Sequence, residues 1–203
     1  VIEVASGMRF GDFLKKEIFE PLGMKDTDFW VPAEKQDRLA KVYDCREGQP
    51  SVRYLDNNLG IQNDMAYRPA YEAGGAGLAS TIDDYAKFTQ MLLNGGTYNG
   101  VQILRPATVK FLGGHTLSAV QQAGFDNWIG LEGFSYGNLM RVLVDPTRAV
   151  TLGSKGEFGW DGWLGCYMEV VPEQNMTFLM MTQKKDAGTY TLSRKIRNII
   201  FSE

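Results

Sequence analysis

The sequence predicts an α+β fold: a mainly helical region, then an antiparallel sheet carrying a C-terminal helix on one face. Three observations lead there. Apolar residues recur at helical spacing in several segments of residues 1–124. Short apolar runs separated by turn residues follow from residue 125. The last segment, TYTLSRKIRNIIF, returns to helical spacing. Strands grouped together, rather than alternating with helices, argue for an antiparallel sheet.

The elements are read in chain order. VIEVA is apolar and reads as the tail of a helix that ends at Ser6-Gly7, where glycine tolerates a left-handed C-terminal position. In residues 8–20, Phe10, Phe13, Leu14 and Ile18 share one stripe, so a helix is expected, stopped by Pro21 and turned by Gly23. Residues 27–79 are irregular, and YRPAYEAGGAG reads as a loop that lines or covers a site. Ser80 with Asp83 three residues on resembles a capping box. The helix it starts places Ile82, Tyr85, Ala86, Thr89, Leu92 and Leu93 on one stripe and ends at Asn94-Gly95-Gly96. PATVKFL reads as a shorter helix with Pro106 near its first position.

Beyond Gly124, NWIGLEGFSY, LMRVLVD and AVTLGS read as short strands, and WLGCYMEVV and MTFLMMTQ as stronger ones. The last two are joined by PEQN, a linker suited to a hairpin. In the closing helix Leu192, Ile196, Ile199 and Ile200 sit at helical spacing.

Composition excludes several function classes. The 203 residues are 44% hydrophobic and 22% charged, with a formal net charge of -3. Lys and Arg are scattered, so there is no basic footprint for nucleic acid. No apolar run is long enough for a membrane span. Two cysteines, Cys45 and Cys166, fit no zinc spacing, and one histidine, His115, builds no metal site, so no metal and no cofactor is expected. VIEVASG is neither an initiator start nor a signal peptide, and it suggests a piece of a longer protein; compartment stays open.

The search for a nucleophile fails. No serine is followed by lysine at Ser-x-x-Lys spacing, and no Gly-x-Ser-x-Gly elbow occurs. Tyr136-Gly-Asn138 has the form Tyr-x-Asn, but so short a match carries little. Asp83 and Asp84 begin a helix, whose positive end accounts for them. The stretch SKGEFGWDGWLG is different. Gly156, Gly159, Gly162 and Gly165 recur every three residues around Trp160 and Trp163. Glycines beside an apolar strand let backbone N–H groups approach a ligand, and such a donor can stabilise an oxyanion. The alternative is a tight turn with a bulge whose rings fill a core.

Three segments carry a resemblance: EIFEPLGMKDT at 17–27, GGAGLASTIDDYAKFTQMLLNGG at 74–96 and FGWDGWLGCYMEVVPEQNMTFLMMTQ at 158–183. Together they resemble the serine β-lactamase-like hydrolases: class C β-lactamases, family VIII esterases and D-alanyl-D-alanine carboxypeptidases. The resemblance implies that residues 1–203 are the C-terminal portion of one β-lactamase/transpeptidase-like domain. Its residues 1–124 would be mainly helices and long loops, and 125–203 antiparallel strands and the closing helix. It also implies that the Ser-x-x-Lys nucleophile and the Tyr-x-Asn tyrosine precede this chain. Trp160-Asp161-Gly162 falls on the family's third motif, which is Lys-Thr-Gly, His-x-Gly or Trp-Gly-Gly in its branches. Trp160 then takes the place of the Lys or His, Gly162 admits the substrate, and the Trp163 backbone N–H forms half of the oxyanion hole. Asp161 departs from Trp-Gly-Gly. Gly75 and Ala76 would line the acyl pocket.

The expected partner is a small acyl substrate, an ester or an amide, a β-lactam or D-alanyl peptide included. A non-catalytic protein that binds a ligand or partner through the same groove is the alternative. A tryptophan at 160 cannot hold a substrate carboxylate as a lysine would, which favours neutral acyl groups. The other expected partner is the missing N-terminal portion. Leaving ~400 Å² of apolar surface uncovered would cost ~10 kcal/mol, as much as a domain's whole stability.

Overall fold

A computed structural model describes residues 1–187 and 191–202. Thr189 and Tyr190, read as the start of the closing helix, lie outside the described residues. Helix α1 spans Ile2–Ser6, and Gly7 closes it with φ +69° as expected. Helix α2, Phe10–Leu14, runs through a π-helical turn, Lys15–Phe19, into α3, Glu20–Leu22. Pro21 therefore stands inside the helical run rather than stopping it. A widened turn ahead of a proline is one way a helix accommodates its ring and missing N–H. Gly23, at φ +67°, ends the run.

Residues 27–79 are largely irregular, with a 3₁₀ turn at Ala33–Arg38 and a hairpin of β1, Tyr43–Asp44, and β2, Val52–Arg53. Helix α4 spans Ile82–Leu93. Its cap is Thr81, whose hydroxyl accepts the Asp84 N–H at 3.2 Å, one residue later than the Ser80 signal suggested. Asp84 turns back to accept from Asp26 N–H and Thr27 Oγ1, which fixes the frame one residue on. Thr89, Met91 and Leu92 are buried, whereas Ile82, expected on the buried stripe, is exposed. Strands β3, Thr97–Tyr98, and β4, Val101–Gln102, make a second hairpin. Its turn residues Asn99 and Gly100 both have positive φ, the primed-turn signature of Asn-Gly. Helix α5 is Pro106–Gly114: it opens at Pro106 as expected and runs past PATVKFL through Gly113 and Gly114. Helix α6, Ala119–Phe125, has a capping box of Ser118 and Gln121 that the sequence reading passed over.

The main sheet has the order β5-β6-β7-β8-β9, antiparallel throughout. Its strands are Phe134–Tyr136, Arg141–Leu143, Phe158–Asp161, Tyr167–Val171 and Met176–Met180. The hairpin through Pro172–Gln174 and Asn175 is as expected. AVTLGS is not a strand: it wraps the guanidinium of Arg197, giving it the Thr151 hydroxyl and the Leu152 carbonyl. A segment whose backbone and hydroxyl groups serve a buried charge cannot also pair in a ladder.

Register sorts the sheet faces. Val142, Phe158 and Val170 lie opposite one another, and Met168 lies opposite Trp160. The four core members pack on Met91 and Leu92 of α4, Val109 of α5, and Phe19, Leu22 and Met24. The other face carries Arg141, Gly159 and Glu169 in register. Helix α7, Thr191–Ile200, covers it with Ser193 and Arg197 buried. The closing helix thus lies on one sheet face as expected, but by a polar side.

Candidate active site

The Gly-Trp-Asp-Gly-Trp stretch is the end of β7 and the turn into β8, not the start of a single strand at Trp163. Gly162 N–H donates to the Cys166 carbonyl at 2.8 Å, and Gly165 N–H to the Gly162 carbonyl at 2.9 Å. The glycines have different reasons. A Cβ on Gly159 would meet the Met168 carbonyl oxygen at 2.0 Å, so the β7–β8 pairing excludes any side chain. Gly165 has φ +84°. A Cβ on Gly162 would find only the Cys166 carbonyl, 3.9 Å away, so the space beside it is open.

Trp163 follows that opening. Its carbonyl accepts the Ala187 N–H at 3.1 Å. Its indole N–H donates to Asp186, and its ring meets Tyr54 edge-on at 5.8 Å. Its own backbone N–H donates to no acceptor among the described residues. The side chain is therefore tied down while the backbone donor is left available, the arrangement a preorganised oxyanion donor requires.

Trp160 packs edge-on against Tyr136, with ring centroids 5.3 Å apart. Asp161 pairs with Arg141 at 2.5 Å, and both side chains are largely buried. The guanidinium also lies 4.6 Å from the Tyr167 ring and 5.8 Å from the Trp160 ring. Arg141 is a site neighbour that sequence reading missed. The one signal was a lone arginine inside the apolar run LMRVLVD. Its charge is held by Asp161 and faced by rings, so the non-glycine residue in the motif has a structural use.

Gly75 and Ala76 lie in a tight loop where Ala76 and Gly77 N–H both donate to the Ala73 carbonyl, at 3.2 and 2.7 Å. Buried Glu72 pins that loop by accepting from Gly11 N–H at 2.7 Å and Arg68 Nε at 2.8 Å. Space is open beside Gly75. No described hydrogen bond or ring contact joins Gly75 or Ala76 to the Trp160–Trp163 turn. Asn138 donates to the Phe111 carbonyl at 3.0 Å, and the His115 ring lies tilted against that of Phe111 with centroids 5.5 Å apart, so both are accounted for by packing.

Beneath β7 and β8 lies a buried charge cluster. Arg197 donates to Glu157 and Glu169, and also to the hydroxyls of Tyr167 and Thr151. Burial, then the neighbouring Glu169 carboxylate, pushes Glu157 up to about 8. Among the described residues no group of His, Cys, Asp and Glu is placed to hold a metal. No helix among them is long and apolar enough to cross a membrane.

Comparison with known proteins identifies the family and the fold. The family model described as Beta-lactamase matches residues 1–199. An uncharacterised protein of Mycobacterium tuberculosis is 32% identical over 177 residues, covering 84% of this chain and 42% of the relative. An Escherichia coli protein named as a D-alanyl-D-alanine carboxypeptidase is 29% identical over 196 residues, covering 91% and 42%. The chain thus spans about two fifths of the length of these relatives. Among solved structures, EstCE1, a hydrolase with promiscuous acyltransferase activity, superposes with a TM-score of 0.79 at 22% identity, covering 98% of this chain and 52% of that one.

Proposed function

The chain belongs to the β-lactamase family, and from that premise we propose that it forms part of a serine hydrolase working through an acyl-enzyme on neutral ester or amide substrates. The observation that carries the reading is the Trp163 backbone N–H, which has no described acceptor and adjoins the open side of Gly162. In this reading that N–H donates to the oxygen of the scissile carbonyl as it becomes an oxyanion. One such donor contributes about 10²–10³ in rate. The second donor, the nucleophilic serine and its lysine come from a segment outside these residues, since no Ser-x-x-Lys occurs in them.

Trp160 sets the substrate class. A charged side chain in its place could bind a substrate carboxylate; an indole offers one N–H and an apolar face. The nearest buried cation, Arg141, is paired with Asp161. Carboxylate-bearing D-alanyl peptides and β-lactams therefore lose their charge partner, and neutral acyl groups do not. Gly75 and Ala76 are assigned to the wall of the acyl pocket on the strength of the open space beside Gly75.

The test uses the complete gene product. Turnover of p-nitrophenyl butyrate well above that of nitrocefin is expected, together with a single serine adduct from an alkyl phosphonate, read by intact mass. Nitrocefin turned over faster than the ester overturns the neutral-substrate reading. No adduct and no turnover of either compound makes the protein a ligand-binding relative instead.

A further inference from the structure

Four aromatic rings lead away from the motif in a row. Trp160 meets Tyr136 at 5.3 Å, Tyr136 meets Phe125 at 6.0 Å, and Phe125 stacks on Trp128 at 6.1 Å. The row crosses from β7 to β5 and then to α6 and the turn after it. The row is half-buried along most of its length: Phe125 also packs on the small core of Leu131, Phe134 and Leu143, while no residue of α6 is fully buried. At the far end Trp128 is 58% exposed, and the adjoining Ile129 is 78% exposed. The charges near the row are few: the Arg141–Asp161 pair lies beside Trp160, and Arg194 lies against Gly130. Residues 111–140 contain no lysine or arginine, and their two acids are Asp126 and Glu132. Asp126 is engaged by Gln122 and Arg148.

The other side of the turn is the opposite in character. Trp163 is flanked by Asp186, with Lys185 over the Tyr54 ring at 5.3 Å and Asp44 within 3.6 Å of Lys185. An apolar group leaving the motif thus meets exposed charges on the Trp163 side, and on the Trp160 side a row of rings beside one largely buried, mutually paired Arg141–Asp161 couple. Exposed contiguous apolar surface is uncommon without a binding role. Rings that pack on one another also lose little rotamer freedom when a ligand covers them.

We infer that the Trp160–Tyr136–Phe125–Trp128 row is a binding strip for the apolar part of the substrate, a medium-length neutral hydrocarbon chain. The inference rests on the acyl-transfer reading of the turn. It goes beyond that reading by fixing the direction and chemistry of the distal part of the substrate. Each ring adds apolar area that a two-carbon group cannot reach.

The complete gene product is assayed with p-nitrophenyl acetate and octanoate, and with octyl acetate by acid release, which separates a chain on the acyl side from one on the alcohol side. The expected result is a kcat/KM preference for one of the eight-carbon substrates over p-nitrophenyl acetate. In Trp128→Ala that preference falls about tenfold, within the range lost with a few methylenes of apolar contact, carried by KM, and Trp128→Phe restores most of it. No chain-length preference, or one that Trp128→Ala leaves intact, overturns the strip. Should no ester be turned over and no phosphonate adduct form, the hydrolase reading fails separately. Quenching of tryptophan fluorescence by 2-decanone, a neutral unreactive probe, then decides. Binding weakened by Trp128→Ala and recovered by Trp128→Phe supports the strip; binding that is absent, or equal in the variants, overturns it.

Discussion

Glu157 and Glu169 are 1% and 2% exposed, and they share one guanidinium, that of Arg197, itself 3% exposed. A single positive charge cannot compensate two buried carboxylates, so one keeps its proton. Burial first and Glu169 second push Glu157 up to about 8 from the ordinary 4.5. The sign follows from linkage: the folded chain binds this proton more tightly than the unfolded chain between those values, so stability falls as pH rises through the interval. Thermal denaturation is expected to give a Tm that decreases from pH 5 to pH 8.5. Glu157→Gln, which is neutral throughout, should flatten that slope; an unchanged slope would mean that the proton sits elsewhere. None of this was legible in SKGEFGW, where Glu157 reads as an ordinary turn acid. Trp160 and Trp163 were legible as a pair, because glycines and rings at fixed spacing are a local pattern. Their different uses, one against Tyr136 and the other toward Tyr54 and Asp186, are made by residues far away in sequence.

At the scale of elements, α7 meets only part of the expectation its sequence raises: of the apolar stripe, Ile196 and Ile200 are half-buried. Ser193 and Arg197 face the sheet, while Leu192 and Ile199 are 53% and 65% exposed. The sheet face beneath it offers Glu157 and Glu169, and only a cation can be buried against them. Arg197→Ala leaves those acids without their partner, and breaking a buried pair in this way costs about 3–5 kcal/mol. Urea unfolding should show that loss. Ile199→Ser should change the stability of this chain by less than about 0.5 kcal/mol, as an exposed position does. A larger cost for Ile199→Ser in the complete gene product would show that another segment covers it. Elsewhere the local signals held: Gly7 and Gly23 end helices, and Pro106 opens α5. Propensity and turn chemistry act within a few residues, so they survive without knowledge of the fold.

For the whole molecule, the sheet leaves β9 paired on one side only among the described residues, by β8. Its sequence, MTFLM, is apolar and carries no charge to blunt that edge. The chain alone is therefore expected to self-associate at micromolar concentration, read as a weight-average mass that grows with concentration in sedimentation velocity. A monodisperse monomer across that range would show that the edge is protected within these residues. The same edge is where we propose that the rest of the protein docks, given relatives more than twice as long. The sequence by itself determined the α+β class, the helix ends at Gly7 and Gly23 and the closing hairpin, because each is written in spacing and turn residues a few positions apart. Only the tertiary structure decided that AVTLGS wraps an arginine, that α7 buries its charge, that Arg141 holds Asp161, and that four rings line up beside Trp160. Those outcomes depend on which groups the fold brings together across tens of residues, where desolvation and charge pairing outweigh local preference.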